Sequence, residues 1–259
     1  MNSCDLCVFV VISLLGMTRG SAQEPAQNHR LDLTWPVAVD ELLTRLAEEN
    51  KRRENLLVGY SSLRTYQAEN GFTHSEAKMD VKATFQSSAG KEFRIIRENG
   101  SKIIRGKVFK PALNAEKEAT QPQMKQRSAI NKDNYDFSFA GEQELRDRRC
   151  YVLNLQPRRK EKFLLRGRVW IDSEDYAVAR VEGELVKLPS FWTRKVEYRR
   201  DYQKVGEVWL PLKDESVSQL FIFGKSTLSI AYSDYQVQVR ESPKGTEPAH
   251  SRAPEPPNR

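Results

Sequence analysis

Residues 77–86, AKMDVKATFQ, alternate strictly between apolar and polar side chains: Ala77, Met79, Val81, Ala83 and Phe85 in one set, Lys78, Asp80, Lys82, Thr84 and Gln86 in the other. A period of two sends one set to a buried face and the other to water, as in a strand of a one-sided antiparallel sheet. Turn formers bracket this strand, Asn70-Gly71 before and Ala89-Gly90 after, so YSSLRTYQ (60–67) and EFRII (92–96) are its expected hairpin neighbours. Ahead of them, PVAVDELLTRLAEENKRRENLL (36–57) changes period. Val39, Leu42, Leu43 and Leu46 recur at helical spacing behind Pro36, which suits a first turn. The remaining face of that helix is charged, so it packs on one side only.

Residues 101–133 break the strand pattern. SKIIRGKVFKPALNAEKEATQPQMKQRSAINKD combines helical spacing at Ile104 and Val108 with Gly106, Pro111 and a charged, Pro-interrupted remainder. It predicts a helical excursion followed by a mobile loop. Strands then resume as YDFSFAG, ELRDRRCYVLNLQP, FLLRGRVWID, YAVARVEGELV, TRKVEYRRDYQ, EVWLP, DESVSQLFIFG and STLSIAYSDYQVQV, joined by short turns such as DSED (172–175) and KVG (204–206). About eleven strands in near-continuous antiparallel succession predict a mainly β (α+β) fold, a strongly curved sheet or a barrel.

Two helical segments are few for so many strands. The apolar strand faces, which include Met79, Val81, Phe85, Leu153, Val181 and Ile230, must be covered by helices, by the sheet itself or by a ligand. These six are the candidate lining of an apolar cavity. LPSFWTRKVEY (188–198) adds Phe191 and Trp192 where the backbone turns after Pro189, with Arg194 and Lys195 following. Two placements fit this pattern: the aromatics cover the edge of a cavity, or they plug the end of the barrel as core.

The chain ends change the functional picture. Leu6–Met17 is an apolar run too short to span a bilayer comfortably, and small residues precede Gln23, so residues 1–22 read as a signal peptide cleaved near Ala22. The n-region carries no Lys or Arg, and an uncleaved anchor is the alternative. One domain is expected over 23–240, with a disordered, proline-rich tail at 241–259. Cys4 and Cys7 lie in the leader, which leaves Cys150 without an intrachain disulfide partner. The formal charge of +7 would suggest nucleic acid in a cytosolic protein. In an exported one it points to anionic membrane surfaces or acidic proteins, or simply to a soluble basic surface.

Catalytic chemistry has little raw material. His29, His74 and His250 are dispersed, with no partner at ligand or triad spacing. Asp172, Glu174 and Asp175 fall at a hairpin tip, where Asp and Ser serve turn geometry. Cys150 sits in a strand and reads as a buried, inert thiol. The sequence therefore predicts no catalytic residue, no metal, no cofactor and no enzyme.

The stretch CYVLNLQPRRKEKFLLRGRVWIDSEDYAVARVEG (150–183) resembles the second half of proteins in the LolA-like lipoprotein-carrier superfamily. The likeness lies in a strand ending L-x-L-x-P, a charged turn, a strand ending W-I-D, and a strand leading to R-V-E. EFRIIRENGSKIIRG (92–106) is a weaker match to the central segment, and PSFWTRKVEYRRDYQKVGEVWLP resembles exported bacterial proteins described as sorting-like. The resemblance spans most of 36–240. It implies a half-open antiparallel β-barrel with helices over the mouth and acyl chains bound in an apolar interior. It also implies a periplasmic monomer with lipid or lipoprotein cargo and transfer partners in the inner and outer membranes. An envelope sensor or scaffold that binds a regulatory protein is the alternative use of the same fold. The superfamily's carrier holds its lid shut with an arginine, and here Arg64, Arg94 and Arg97 all lie on candidate strands.

Overall fold

The computed structural model describes residues 39–240. The leader, the expected cleavage site, His29, His250 and the tail at 241–259 lie outside the described residues. Helix α1 (Val39–Leu56) comes first, followed by β1 (Leu57–Asn70), β2 (Ser75–Gln86) and β3 (Gly90–Gly100). A helical stretch follows: a short α2 (Lys102–Ile104), a π-turn (Arg105–Phe109), α3 (Lys110–Ala119) and α4 (Pro122–Ser128). The chain then continues as β4 (Tyr135–Leu145), β5 (Arg148–Pro157), β6 (Leu165–Asp172), β7 (Val178–Leu185), β8 (Thr193–Val205), β9 (Val208–Leu220) and β10 (Gly224–Val239).

All ten strands form one sheet in the order β3-β2-β1-β10-β9-β8-β7-β6-β5-β4, and every neighbouring pair is antiparallel. Each connection is a hairpin except the link from β3 to β4. Those two strands are the open edges, so the chain between them must cross one face of the sheet. That crossing is the helical stretch. The topology thus yields the half-open sheet with helices over its concave face that the resemblance implied.

Two details depart from the sequence reading. EVWLP and DESVSQL are one strand, β9, which makes ten strands rather than eleven. Pro211 cannot donate to the ladder, but β9 carries one extra residue there, Leu212, against Asp201 and Tyr202 of β8, and this bulge lets β9 run on. The segment after Pro111, expected as a mobile loop, is helical to Ser128. Both prolines sit in first-turn positions of their helices, where a missing N–H breaks no intrahelical bond. Gly167 and Gly183 face each other across β6 and β7. A Cβ on Gly167 would stand 2.0 Å from the Glu182 carbonyl oxygen, so only glycine allows the two backbones this close.

The concave face divides into two main clusters. Around β4–β8, Leu42, Leu43 and Leu46 of α1 join Leu153, Val169, Ile171 and Val181. Around β10, β1 and β2, the helical stretch supplies Ile104, Val108, Phe109, Ala112 and Leu113 to Tyr66, Met79, Val81, Leu228 and Ile230. Helix α1 runs the length of the first half. Asp40 at its start pairs with Lys132 at 2.9 Å, and the buried Arg53 near its end donates to the carbonyls of Asp175 and Tyr176.

Candidate functional site

The register of β1 decides what lies under α3. Arg64, Tyr66 and Ala68 point to the concave side, opposite Val81, Met79 and Ala77 of β2 and Tyr232, Ile230 and Leu228 of β10. Arg64 is therefore a charged residue in an apolar row, and it is fully buried. Of the three arginines that the sequence left open for the lid, this is the one that faces inward. Arg97 pairs with Asp80 at 2.7 Å on the exposed side, and Arg94 is exposed.

The partner of Arg64 comes from the covering helix. Its Nη1 donates to Glu116 Oε2 of α3 at 2.5 Å, and Lys91 Nζ of β3 donates to Glu116 Oε1 at 3.0 Å. Burial alone would raise the Glu116 carboxyl. The charges of Arg64 and Lys91 overcome it and hold the group well below the usual carboxylate range. The Arg64 guanidinium also stacks over the rings of Tyr232 at 4.8 Å and Phe93 at 5.3 Å.

Tyr232 links this group to a second buried pair. Arg200 Nε donates to Asp214 Oδ1 at 2.5 Å, and its Nη2 donates to Oδ2. The Tyr232 hydroxyl donates to Asp214 Oδ2 at 2.8 Å. Burial leads the causes that push the phenol well above its ordinary value, with Asp214 adding to it, so it stays a donor. Three cations and two carboxylates thus lie together beneath the helix. Among the described residues, Arg200 Nη1 and Ser216 Oγ are buried without a hydrogen-bond partner.

The candidate cavity residues do not share one space. Met79, Val81 and Ile230 lie in the cluster under the helical stretch, Leu153 and Val181 in the α1 cluster, and Phe85 at the edge of a small third cluster with Leu57, Tyr60, Val208 and Leu210. Phe191 is 84% exposed and Trp192 is half-buried against it, the rings 5.4 Å apart. Phe191 therefore does not plug the sheet as core. An open groove of about 920 Å³ separates α1 from α4 and the following loop, with Leu43, Leu46 and Ile130 among its lining residues. Lys125 of α4 and Glu54 of α1 pair across it at 3.5 Å.

Glu116 and Lys91 escaped the sequence reading. The visible sign was a carboxylate on an apolar helical face, in step with Ala112, Leu113 and Ala119. Asp172 has the turn role expected of it: its Oδ1 accepts from the backbone N–H of Glu174 and Asp175, and Arg148 closes on it at 2.5 Å. Burial pushes the Cys150 thiol up to about 11, away from thiolate chemistry at neutral pH. Among the described residues no group of His, Cys, Asp and Glu is arranged to hold a metal ion, and no helix is long and apolar enough to cross a membrane.

No family model matches the chain, and no curated protein matches it. Among solved structures the chain is similar to a DUF1329 family protein from Desulfovibrio piger, at 13% identity over 79% of this chain and 95% of that one, with a TM-score of 0.40. A putative outer membrane lipoprotein-sorting protein domain from Vibrio parahaemolyticus gives 14% identity over 78% and 93%, with a TM-score of 0.39. A LolA superfamily protein from Nitrosomonas europaea gives 10% identity over 80% and 96%, with a TM-score of 0.34.

Proposed function

We propose that this chain is an exported, periplasmic, non-enzymatic binding protein that shelters the acyl chains of lipid or lipoprotein cargo beneath the helical stretch 102–128. The observation that carries the reading is the cover itself. A helix that could have closed the sheet with apolar side chains alone instead sinks Glu116 onto Arg64 and Lys91. A buried ion pair is a poor source of net stability, because desolvation consumes most of the Coulombic gain. It does make a switch: the helix is held in one position and gains little from halfway states. Lifting it would bare Tyr66, Met79, Val81, Leu228 and Ile230, and each methylene of a chain buried there would gain about 0.8 kcal/mol. Arg200 Nη1, which lacks a protein acceptor, would donate to an ester or carboxylate oxygen of such cargo.

The groove between α1 and α4 is the natural point of access, because it needs no strand to move. Titration with a fluorescent fatty-acyl probe tests the proposal. Burial-driven binding should persist in about 0.5 M salt, where attraction to exposed charge is screened within a few ångströms. A folded protein with no salt-resistant acyl binding would sink the carrier reading and leave a sensor or scaffold that binds a regulatory protein.

A further inference from the structure

Because the strands alternate in direction, their connections sort onto two ends of the sheet. One end carries 71–74, 158–164, 186–192 and 221–223, and the other carries 87–89, 146–147, 173–177 and 206–207. The first set holds five Lys or Arg against a single carboxylate, Glu161, whereas the second holds four carboxylates against a single Arg146. Aromatic residues follow the same division. Phe72, Phe163, Phe191, Trp192, Phe221 and Phe223 stand at the basic end, and Tyr176 is the counterpart at the acidic end.

The four connections at this end form a continuous rim. The Phe72 and Phe223 rings meet edge-on at 6.3 Å. Phe221 donates its N–H to the Trp192 carbonyl at 2.9 Å, and Arg194 lies over the Phe221 ring at 5.0 Å. Val186 donates its N–H to the Leu164 carbonyl at 3.1 Å, which joins the 158–164 connection to the same row. At this end Phe191 is 84% exposed and Phe72 is 65% exposed.

We propose that this aromatic, basic rim docks the protein on an anionic lipid surface, with Phe72 and Phe191 entering the headgroup layer and the exposed Lys160 and Lys187 meeting lipid phosphates. Rings at a membrane interface bury an apolar body while their surroundings stay wet, and each cation near an anionic leaflet adds attraction. The exposed Phe72 and Phe191 rings project from separate loop tips, which suits insertion between headgroups better than pairing with a folded protein surface. The acidic end would then face away from the bilayer. Docking requires no lid opening, so it stands apart from the acyl-binding reading, although it would bring the covered face to a membrane.

Co-sedimentation of the chain from Gln23 onward with phosphatidylcholine vesicles, with and without phosphatidylglycerol, tests the proposal. Affinity should be about tenfold or more higher when phosphatidylglycerol is present. Phe72→Ser/Phe191→Ser should weaken binding about tenfold and remove the part that survives about 0.5 M salt. Lys160→Glu/Lys187→Glu should abolish the preference for anionic lipid, whereas Glu174→Gln/Glu207→Gln at the far end should leave binding unchanged. These side chains are solvent-facing, and circular dichroism of each variant checks that the fold is kept. Failure to bind either vesicle would overturn the proposal. So would a serine variant that binds like wild type, or a far-end variant that gains as much as the rim variant loses. A chain that docks but takes no acyl probe would refute the carrier reading alone, and one that takes the probe in solution but never docks would refute this one.

Discussion

On the β4–β8 side of the concave face, α1 contributes Leu42, Leu43 and Leu46 to a broad cluster with Leu153, Val169 and Val181. On the β10–β3 side, α3 contributes Ala112 and Leu113 to a smaller cluster with Met79 and Ile230, and carries Glu116 into Arg64 and Lys91. One cover resembles ordinary core. The other joins small apolar contacts to a charge pair whose net contribution is close to balanced. The difference decides which half the proposed carrier would open: apolar burial is lost gradually as surfaces separate, whereas a buried ion pair is either made or replaced by an equivalent partner.

The largest effect should come from breaking the charge cluster on one side only. Arg64→Met leaves Glu116 facing Lys91 alone and should cost roughly 3–5 kcal/mol in urea unfolding. Arg64→Met/Glu116→Met should recover most of that loss, and a double variant as unstable as the single one would refute the latch. Leu153→Ala, in the other half, should cost about 2–5 kcal/mol. It should leave acyl affinity intact while the protein is folded, so a parallel loss of affinity would merge the two halves into one site.

Next in size is a pH effect. The Glu116 carboxyl is held below its ordinary value in the folded state, so its contribution is complete above the unfolded carboxylate range and fades as pH falls through the folded value. The stability gap between wild type and Glu116→Gln should therefore be widest near neutrality and close in strong acid. Urea curves that stay parallel from pH 7 to pH 3 would contradict this. The smallest effect is expected at the rim, where Phe191→Ala should change stability by no more than about 0.5 kcal/mol. A loss of several kcal/mol would return Phe191 to the core.

Local periodicity made most of the sheet legible. The alternation through 77–85 marks β2, and the turn formers around it mark both hairpins. EVWLP and DESVSQL look like two strands because Pro211 is locally a strand breaker, and only the bulge at Leu212 of β9 shows how it is accommodated. The prolines at 111 and 122 misled in the same manner, since their first-turn placement depends on where each helix begins. The pairing of Arg64 with Glu116 was beyond local reading. Arg64 and Glu116 lie 52 residues apart, and only the crossing of the helical stretch from one sheet edge to the other brings them together. Phe191 and Trp192 were noticed for their position after Pro189, but whether a turn aromatic faces core or water is set by how the neighbouring hairpins stack.

Native-state hydrogen exchange read segment by segment tests the opening of the covered half most directly. The amides of 102–119 should exchange through an opening well below the free energy of global unfolding, while those of β5 and β6 exchange only with the whole sheet. Saturating fatty-acyl probe should change protection in 102–119 and leave β5 and β6 as they were. Equal protection of both regions, unchanged by the probe, would contradict the claim that one half of the face opens to hold a ligand.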